Sequence, residues 1–408
     1  MTPPAVSAST RISAIPACIG PHGVRFDFNE GCRILLPPGN WQVRLTDLET
    51  GSVLCDAASA GGTILSLKKY FVRFHIELRL DGSLVFDHRL DLREREVLIR
   101  MELGGLGDQL AWIGQAASFA VAHAARVTCC VAPALVPLLG SMQPELRLVT
   151  AAELATLLER TAFYATYKVC IFYNDHDHDW QPSDYRQVGL SHAAAHILGL
   201  SLEDRRPKLS IDPGGRPIDE PYVCIATQAT SQAKYWNNPL GWTQVIAFLK
   251  QAGYRVICID RQPVNGSGLV WNHLPHGAED ETGDRPLSER ARWLRHAAFF
   301  VGLSSGLSWL AWAVGTEVVM IGGFTLPLNE FAATYRVTND FACNGCANDL
   351  RHQFNPRDFL FCPRHAGTAR QFECSRLITA QHVQTVIERI PGFGAHRQTV
   401  SARVGRAA

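Results

Sequence analysis

No apolar run in this chain approaches the roughly 18–20 residues that a membrane-crossing helix needs, so no membrane span is expected. Charge of one sign is also lacking. With 39 basic and 38 acidic residues the net charge is +1, and nucleic acid or an anionic surface is not expected as a partner. The first residues, MTPPAVSASTRISAIPACIG, have no basic stretch leading into an apolar core. That reads as a frayed lead-in rather than a secretory signal, and points to a reducing, cytoplasmic setting. Neither G-x-G-x-x-G nor a Gly-Lys-Ser/Thr loop occurs, which argues against a nicotinamide oxidoreductase and a P-loop enzyme. His192 and His196 stand four apart without the glutamate of H-E-x-x-H, so surface or packing roles are expected of them.

What is present is an ordinary globular composition, 47% hydrophobic and 19% charged over 408 residues, long enough for two or three domains. Residues 20–98 alternate with a period of two (VRFDF, CRILL, WQVRLTD, YFVRFHIELRL, SLVFDHRL). Turn signals at Pro37-Pro38-Gly39-Asn40, Gly61-Gly62 and Asp81-Gly82-Ser83 separate the runs. A β-rich, barrel-like accessory domain over 1–95 is expected. From residue 96 strands and helices alternate: VLIRME (97–102), VTCCVA (127–132), LRLVT (146–150) and KVCIFY (168–173) are read as strands of a parallel sheet. This Rossmann-like domain is expected to cover 96–205, with RRPKLSIDPGGRP as linker. A second βα series, YVCIA, RVICID, FFVG and EVVMIGG, is expected over 220–390. It ends in a helix near 378–390 stopped by Pro391, then a polar tail. The fold class is therefore α/β, two Rossmann-like halves behind a β-rich leader, with a cleft expected between the halves.

Three turns at strand ends carry the candidate chemistry. In EVLIRMELGGLGDQL the glycines, Gly105 and Gly107 among them, allow close backbone approach to a ligand, and Asp108 falls in the first turn of the next helix. A carboxylate there is also favoured by the helix dipole alone. After YVCIA, the loop TQATSQAKYWNNP offers Thr227, Gln228, Thr230 and Ser231 as donors and Lys234 as a cation for a diphosphate. Trp236 of the same loop joins the substrate-binding set. After FFVG, Ser304, Ser305 and Gly306 open an apolar helix whose N-terminal amides attract phosphate, although a simple serine cap fits equally well.

Cys343, Cys346, Cys362 and Cys374 form C-x2-C-x15-C-x11-C within a finger spanning 341–376. Four thiolates suit zinc or a rubredoxin-like iron, and such a closed set is structural. His352 and His365 are alternative ligands. The other eight cysteines lack ligand-like spacing and read as small hydrophobes or leader residues. Asn174 to Asp179 (NDHDHD) has donor residues but no second ligand cluster, and is read as a polar loop.

Taken in order, the β-rich leader, GGLGDQL, QAKYWNNP, GLSSGLSWLAW and CNGC…C…C resemble the bacterial autotransporter heptosyltransferases, related to the lipopolysaccharide heptosyltransferases of glycosyltransferase family 9. The resemblance covers nearly the whole chain, and the cysteine set is its most specific part. It implies a GT-B fold and a cytoplasmic enzyme that moves heptose from ADP-heptose onto serines of an autotransporter adhesin. It also implies one iron (Fe3+) per subunit held by the four cysteines, zinc being the chemical alternative, and a ring-like homo-oligomer, a dodecamer. Asp108 would be the general base and Lys234 the phosphate contact, with Thr230 a neighbouring donor. Ser304, Ser305 and Gly306 would cradle the diphosphate. The lipopolysaccharide enzymes commonly carry Asp-Thr-Gly at that turn, so contacts there are expected to be less charged.

The implied reaction is an inverting displacement without a catalytic divalent ion. Asp108 takes the serine proton while Lys234 and helix amides stabilise the departing ADP. Rival readings are a lipopolysaccharide-type or other nucleotide-sugar transferase, and a non-catalytic metal-stabilised assembly scaffold.

Overall fold

Residues 12–395 are described by a computed structural model, so the first part of the expected lead-in (1–11) and most of the polar tail (396–408) lie outside the described residues. The chain divides into two units. One holds the residues up to Gly105 with Ala111–Tyr185 and Leu190–Arg205; the other holds Leu106–Leu110, Arg186–Gly189 and the chain from Arg206 onward.

In the first unit a mixed sheet is ordered Leu146–Val149, Arg126–Cys130, Glu96–Arg100, Ala165–Lys168, Arg25–Asn29, Arg33–Leu36, Gly62–Leu65, with Cys18–Ile19 added beside Arg25–Asn29. The first five strands pair in parallel and the leader strands continue antiparallel. The boundary expected at residues 95–96 thus falls inside one sheet. Buried polar groups fix this junction. The Thr166 hydroxyl donates to Asn29 Oδ1 at 2.7 Å, and Asn29 Nδ2 donates to the Phe163 carbonyl at 2.8 Å. Asp27, fully buried, accepts Asn29 Nδ2 and the Arg33 fork, which satisfies a charge that burial would otherwise penalise. The remaining leader strands make a separate antiparallel sheet in the order Val53–Ser59, Trp41–Asp47, Phe74–Leu80, Ser83–Arg89. Trp41, Val43 and Leu45 point inward while Gln42 and Arg44 face solvent, the period-two pattern of a half-buried strand.

One expected strand is displaced. KVCIFY (168–173) was expected to be extended, but the strand is Ala165–Lys168. Its partner strand ends at Arg100, and after Val169 donates to the Arg100 carbonyl no ladder remains for the apolar residues that follow. A strand persists only where its backbone groups are paired.

The second unit has a six-stranded, wholly parallel sheet in the order Glu279–Asp280, Arg255–Cys258, Tyr222–Ile225, Phe300–Leu303, Val318–Ile321, Tyr335–Val337. Its central strands are buried along their whole length, as both-face burial in a parallel sheet requires. Val245, Ile246 and Leu249 of helix Gly241–Gln251 pack with Val383 and Ile387 of helix Ala380–Ile387 in one core. Truncating one such leucine to alanine costs about 2–5 kcal/mol.

No helix among the described residues is long and apolar enough to cross a membrane.

Candidate active site and metal-binding finger

The glycine turn between strand Glu96–Arg100 and helix Leu106–His123 leads to a half-buried Asp108 in the helix's first turn. Leu106–Leu110 belongs to the second unit, and the glycines explain how it packs there. A Cβ on Gly107 would lie 2.7 Å from Trp309 Cδ1 and 3.3 Å from Gly306 Cα. A Cβ on Gly306 would lie 2.9 Å from Leu106 Cβ. Two of the glycine-bearing turns singled out in the sequence therefore meet almost backbone to backbone. Trp309, braced edge-on by Trp312 and Phe331, leaves no room for a side chain at Gly107. Asp108 follows immediately. Gly105, two residues earlier, is exposed.

The loop after Tyr222–Ile225 is organised by a residue that the sequence reading passed over. The backbone N–H and the hydroxyl of Thr227 both donate to Asp260 Oδ2, at 2.7 and 2.9 Å, and the Gln228 N–H donates to Oδ1 at 3.3 Å. Asp260 is 2% exposed; burial pushes its carboxyl up, and the Thr227 and Gln228 donations pull it back. These donors, expected to face a diphosphate, are engaged within the protein. The Gln228 side chain likewise donates to the Gln262 carbonyl. Trp236 is corrected too. Its ring is buried, its N–H donates to the Ile378 carbonyl at 2.9 Å, and it packs edge-on against Trp242, so it is a core residue. Thr230 is exposed and Lys234 half-buried, and no hydrogen bond or ion pair of the Lys234 ammonium is found among the described residues.

At the third turn, Ser305 stands at the N-cap of helix Gly306–Val314 without capping it. Its hydroxyl is buried and has no hydrogen-bond partner among the described residues. The Ser304 hydroxyl donates to Glu330, whose other oxygen takes Arg336 at 2.7 Å. Glu330 and Asp260 were both missed. Asp260 left one signal, an acidic residue two positions past the end of a buried strand; Glu330 left none, because it lies in a loop and pairs with Ser304 and Arg336 of two other segments.

The four cysteines of the finger line one small cavity with Ala233, Phe324, Phe361, His365, Phe372 and Glu373. Between the first pair, Gly345 adopts a left-handed conformation (φ +70°), and its N–H and that of Ala347 donate to the carbonyls of Gly323 and Phe324. The chelating turn is thereby tied to the end of strand Val318–Ile321. Burial and the neighbouring Cys343 push the Cys346 thiol up to about 12; burial, Cys343 and Cys362 do the same to Cys374. Thiols crowded this closely ionise together only when a cation neutralises them, so the donor set fits a thiophilic metal ion. One ligand atom each of Cys343, His365 and Glu373 also lie within 4.8 Å of one another. The Arg370 guanidinium already grips both Glu373 oxygens, at 2.6 and 2.8 Å, which leaves the sulfurs as the better donors.

The NDHDHD run closes on itself. Asp175 accepts the N–H groups of Asp179, Trp180 and Gln181 at 2.9–3.0 Å, and Lys68 reaches the carbonyls of Asp177 and His178. It is an ordered polar loop. His196 meets Ser183 and His192 lies 3.8 Å from Asp204, both packing arrangements.

Two α/β units built on parallel strands, with a β-rich leader, are the architecture of a glycosyltransferase of the GT-B type. Residues 20–82 match the family model "Glycosyltransferase TibC, N-terminal domain", and residues 181–353 match "Glycosyltransferase family 9 (heptosyltransferase)". The autotransporter heptosyltransferase BAHTCr of Citrobacter rodentium is 48% identical over 92% of this chain and 91% of its own length. A crystal structure of TibC from enterotoxigenic E. coli, described as a dodecameric, iron-containing heptosyltransferase in complex with ADP-D-β-D-heptose, is 45% identical with a TM-score of 0.89. It covers 93% of this chain and 98% of the TibC chain. BimC of Burkholderia thailandensis, named an inactive autotransporter heptosyltransferase, is 42% identical over 96% of this chain and 93% of its own length. The chain belongs to the autotransporter heptosyltransferase family.

Proposed function

We propose that this protein transfers heptose from ADP-heptose to serine hydroxyls of an autotransporter adhesin passenger, in the cytoplasm, as a dodecamer. The observation that carries the reading is the likeness to TibC, whose structure holds ADP-D-β-D-heptose, across nearly all of both chains. In this reading Asp108 accepts the serine proton as the serine oxygen attacks the anomeric carbon and the bond to ADP breaks with inversion. The Lys234 ammonium and the N-terminal turn of helix Gly306–Val314 take up the charge that appears on the departing diphosphate. Lys234 suits that part because its ammonium has no hydrogen bond or ion pair among the described residues. With Ser304 given to Glu330, the Ser305 hydroxyl is the remaining side-chain donor of its turn. Thr230, Gly105 and Gly107 complete the set.

Cys343, Cys346, Cys362 and Cys374 would hold one ferric ion per chain, with zinc the alternative. Through these four sulfurs the 343–346 turn would be tied to the 362 and 374 segments and the finger stiffened. Metal analysis and an absorption spectrum of the purified protein separate the two; a colourless, zinc-replete sample would overturn iron.

The deciding experiment is mass spectrometry of a co-expressed serine-rich adhesin passenger, with and without ADP-heptose biosynthesis. Heptose-sized additions that need both the protein and the donor support transfer. An unmodified passenger alongside modified lipid A core would make it a lipopolysaccharide-type enzyme. The BimC likeness favours a second reading, a metal-holding assembly scaffold without turnover. Absence of ADP-heptose binding by calorimetry, with metal retained, would select it.

A further inference from the structure

The finger contains a charged side chain aimed at one of its sulfurs. Arg364, two residues after Cys362, donates through one terminal nitrogen to Cys343 Sγ at 3.4 Å and to the Asn344 carbonyl at 3.3 Å. Its other terminal nitrogen is paired with Asp349 Oδ2. The same Asp349 oxygen also accepts from Arg351 at 2.7 Å. The Cys343 backbone N–H donates to Glu373, which Arg370 fixes in turn. Arg364 is only about a quarter exposed, and Arg351 is three-quarters exposed. The inner arginine thus bridges a carboxylate and a ligand sulfur, while the outer one faces solvent.

We propose that Arg364, oriented by Asp349, is the positioning residue that fixes Cys343 Sγ for coordination and sets how tightly the finger holds its ion. This rests on the reading that the four cysteines bind a metal. The physical reason is general. A donor and positive charge on a ligating sulfur stabilise the anion there, and the partners behind first-layer ligands contribute strongly to affinity. Arginine suits the position because its planar fork makes both contacts at once and its charge is permanent, whereas a lysine supplies a point charge to one of them.

The test uses purified, metal-loaded full-length protein and follows release of the metal to a chromophoric chelator, a readout independent of sugar transfer. Arg364→Ala should weaken retention by about 10-fold or more, the range typical of such partners. Arg364→Lys should fall between it and the parent, and Asp349→Asn should weaken retention because the guanidinium loses its anchor. Arg351→Ala should change it little. If the ion is iron, the midpoint potential should also drop in Arg364→Ala, since removing a cation disfavours the more negative reduced centre. Should Arg364→Ala be insoluble, Arg364→Lys and Asp349→Asn decide. Parent-like release by the soluble variants would overturn the proposal. A parent protein that carries no metal would instead overturn the reading beneath it.

Discussion

Thr227 gives both its backbone N–H and its hydroxyl to the same oxygen of Asp260, so one buried carboxylate sets the path of the loop that leads to Lys234. Gln228 adds a third donor and Cys258 a weak fourth. Replacing Asp260 with alanine orphans those donors in the interior, at about 1–3 kcal/mol for a buried group left unsatisfied. Asp260→Ala should therefore lower the thermal midpoint and weaken ADP binding measured by calorimetry. Unchanged binding would mean that the Thr227 hub has no bearing on the nucleotide.

Asp108 has two roles open to it, a base or a dipole-favoured residue of its helix's first turn. They differ in what its removal does. As a base, Asp108→Ala should fold with a parent-like thermal midpoint and lose about 10²–10⁴-fold in passenger modification. Preserved turnover removes it from the mechanism, and a lower midpoint with proportionate loss of activity assigns it to the helix.

For Lys234 the expectation is specific to charge. Lys234→Met should reduce transfer by about 10²-fold, the order seen when one preorganised donor to a developing anion is lost. Stability should hold, because that ammonium has no ion pair among the described residues to lose. A large fall in the thermal midpoint would show that the lysine is structural.

Acid should destabilise the first unit through His123. Its ring lies against Phe119 and Phe71, at 4.5 and 4.9 Å between centroids, and burial and Arg73 lower its affinity for protons. A histidine with a depressed folded value favours the fold fully above its unfolded value, about 6.5, and loses that contribution as pH falls through the lower folded one. The thermal midpoint should decline from pH 7.5 to 5.5, and less steeply in His123→Phe. His88, lowered by burial and Arg95, carries part of the remaining slope. Parallel declines in parent and variant would exclude His123.

What the residue pattern disclosed and what it hid follow one physical line. The parallel strands of the second unit are short, continuous apolar runs bounded by turns, so YVCIA, FFVG and EVVMIGG marked themselves. The C-x2-C pair announced the finger because chelation requires close spacing. Pairing between Arg25–Asn29 and Ala165–Lys168 has no local signature, since it depends on Asn29 meeting Thr166 across 137 positions. The run VCIFY is as apolar as a strand, yet it lies beyond the end of its partner. Trp236 was expected in the substrate-binding set because it shares a polar loop, and only the fold shows its N–H turned to Ile378. Asp260 and Glu330 are single carboxylates whose partners come from other elements, and no periodicity betrays them.

If the four cysteines hold a metal as proposed, removing it should disturb more than the finger. The Phe359 carbonyl, inside the finger, accepts the Gln232 N–H at 2.8 Å and the Ser231 hydroxyl at 3.2 Å, and Ala233 packs against Phe324, Cys346 and Phe361. The turn that presents Lys234 is thus seated on the segment that the cysteines close. Because structural metal binding is coupled to folding, chelation should free residues 341–376, and the loss of Phe359 as an acceptor should loosen 231–235. Hydrogen exchange before and after chelation should show faster exchange in both segments, while the Tyr222–Ile225 strand stays protected. Calorimetry on the same sample should show weaker ADP binding. Faster exchange confined to the finger would mean that the Lys234 turn holds without it, and no change in either segment would mean that the finger is folded by packing alone.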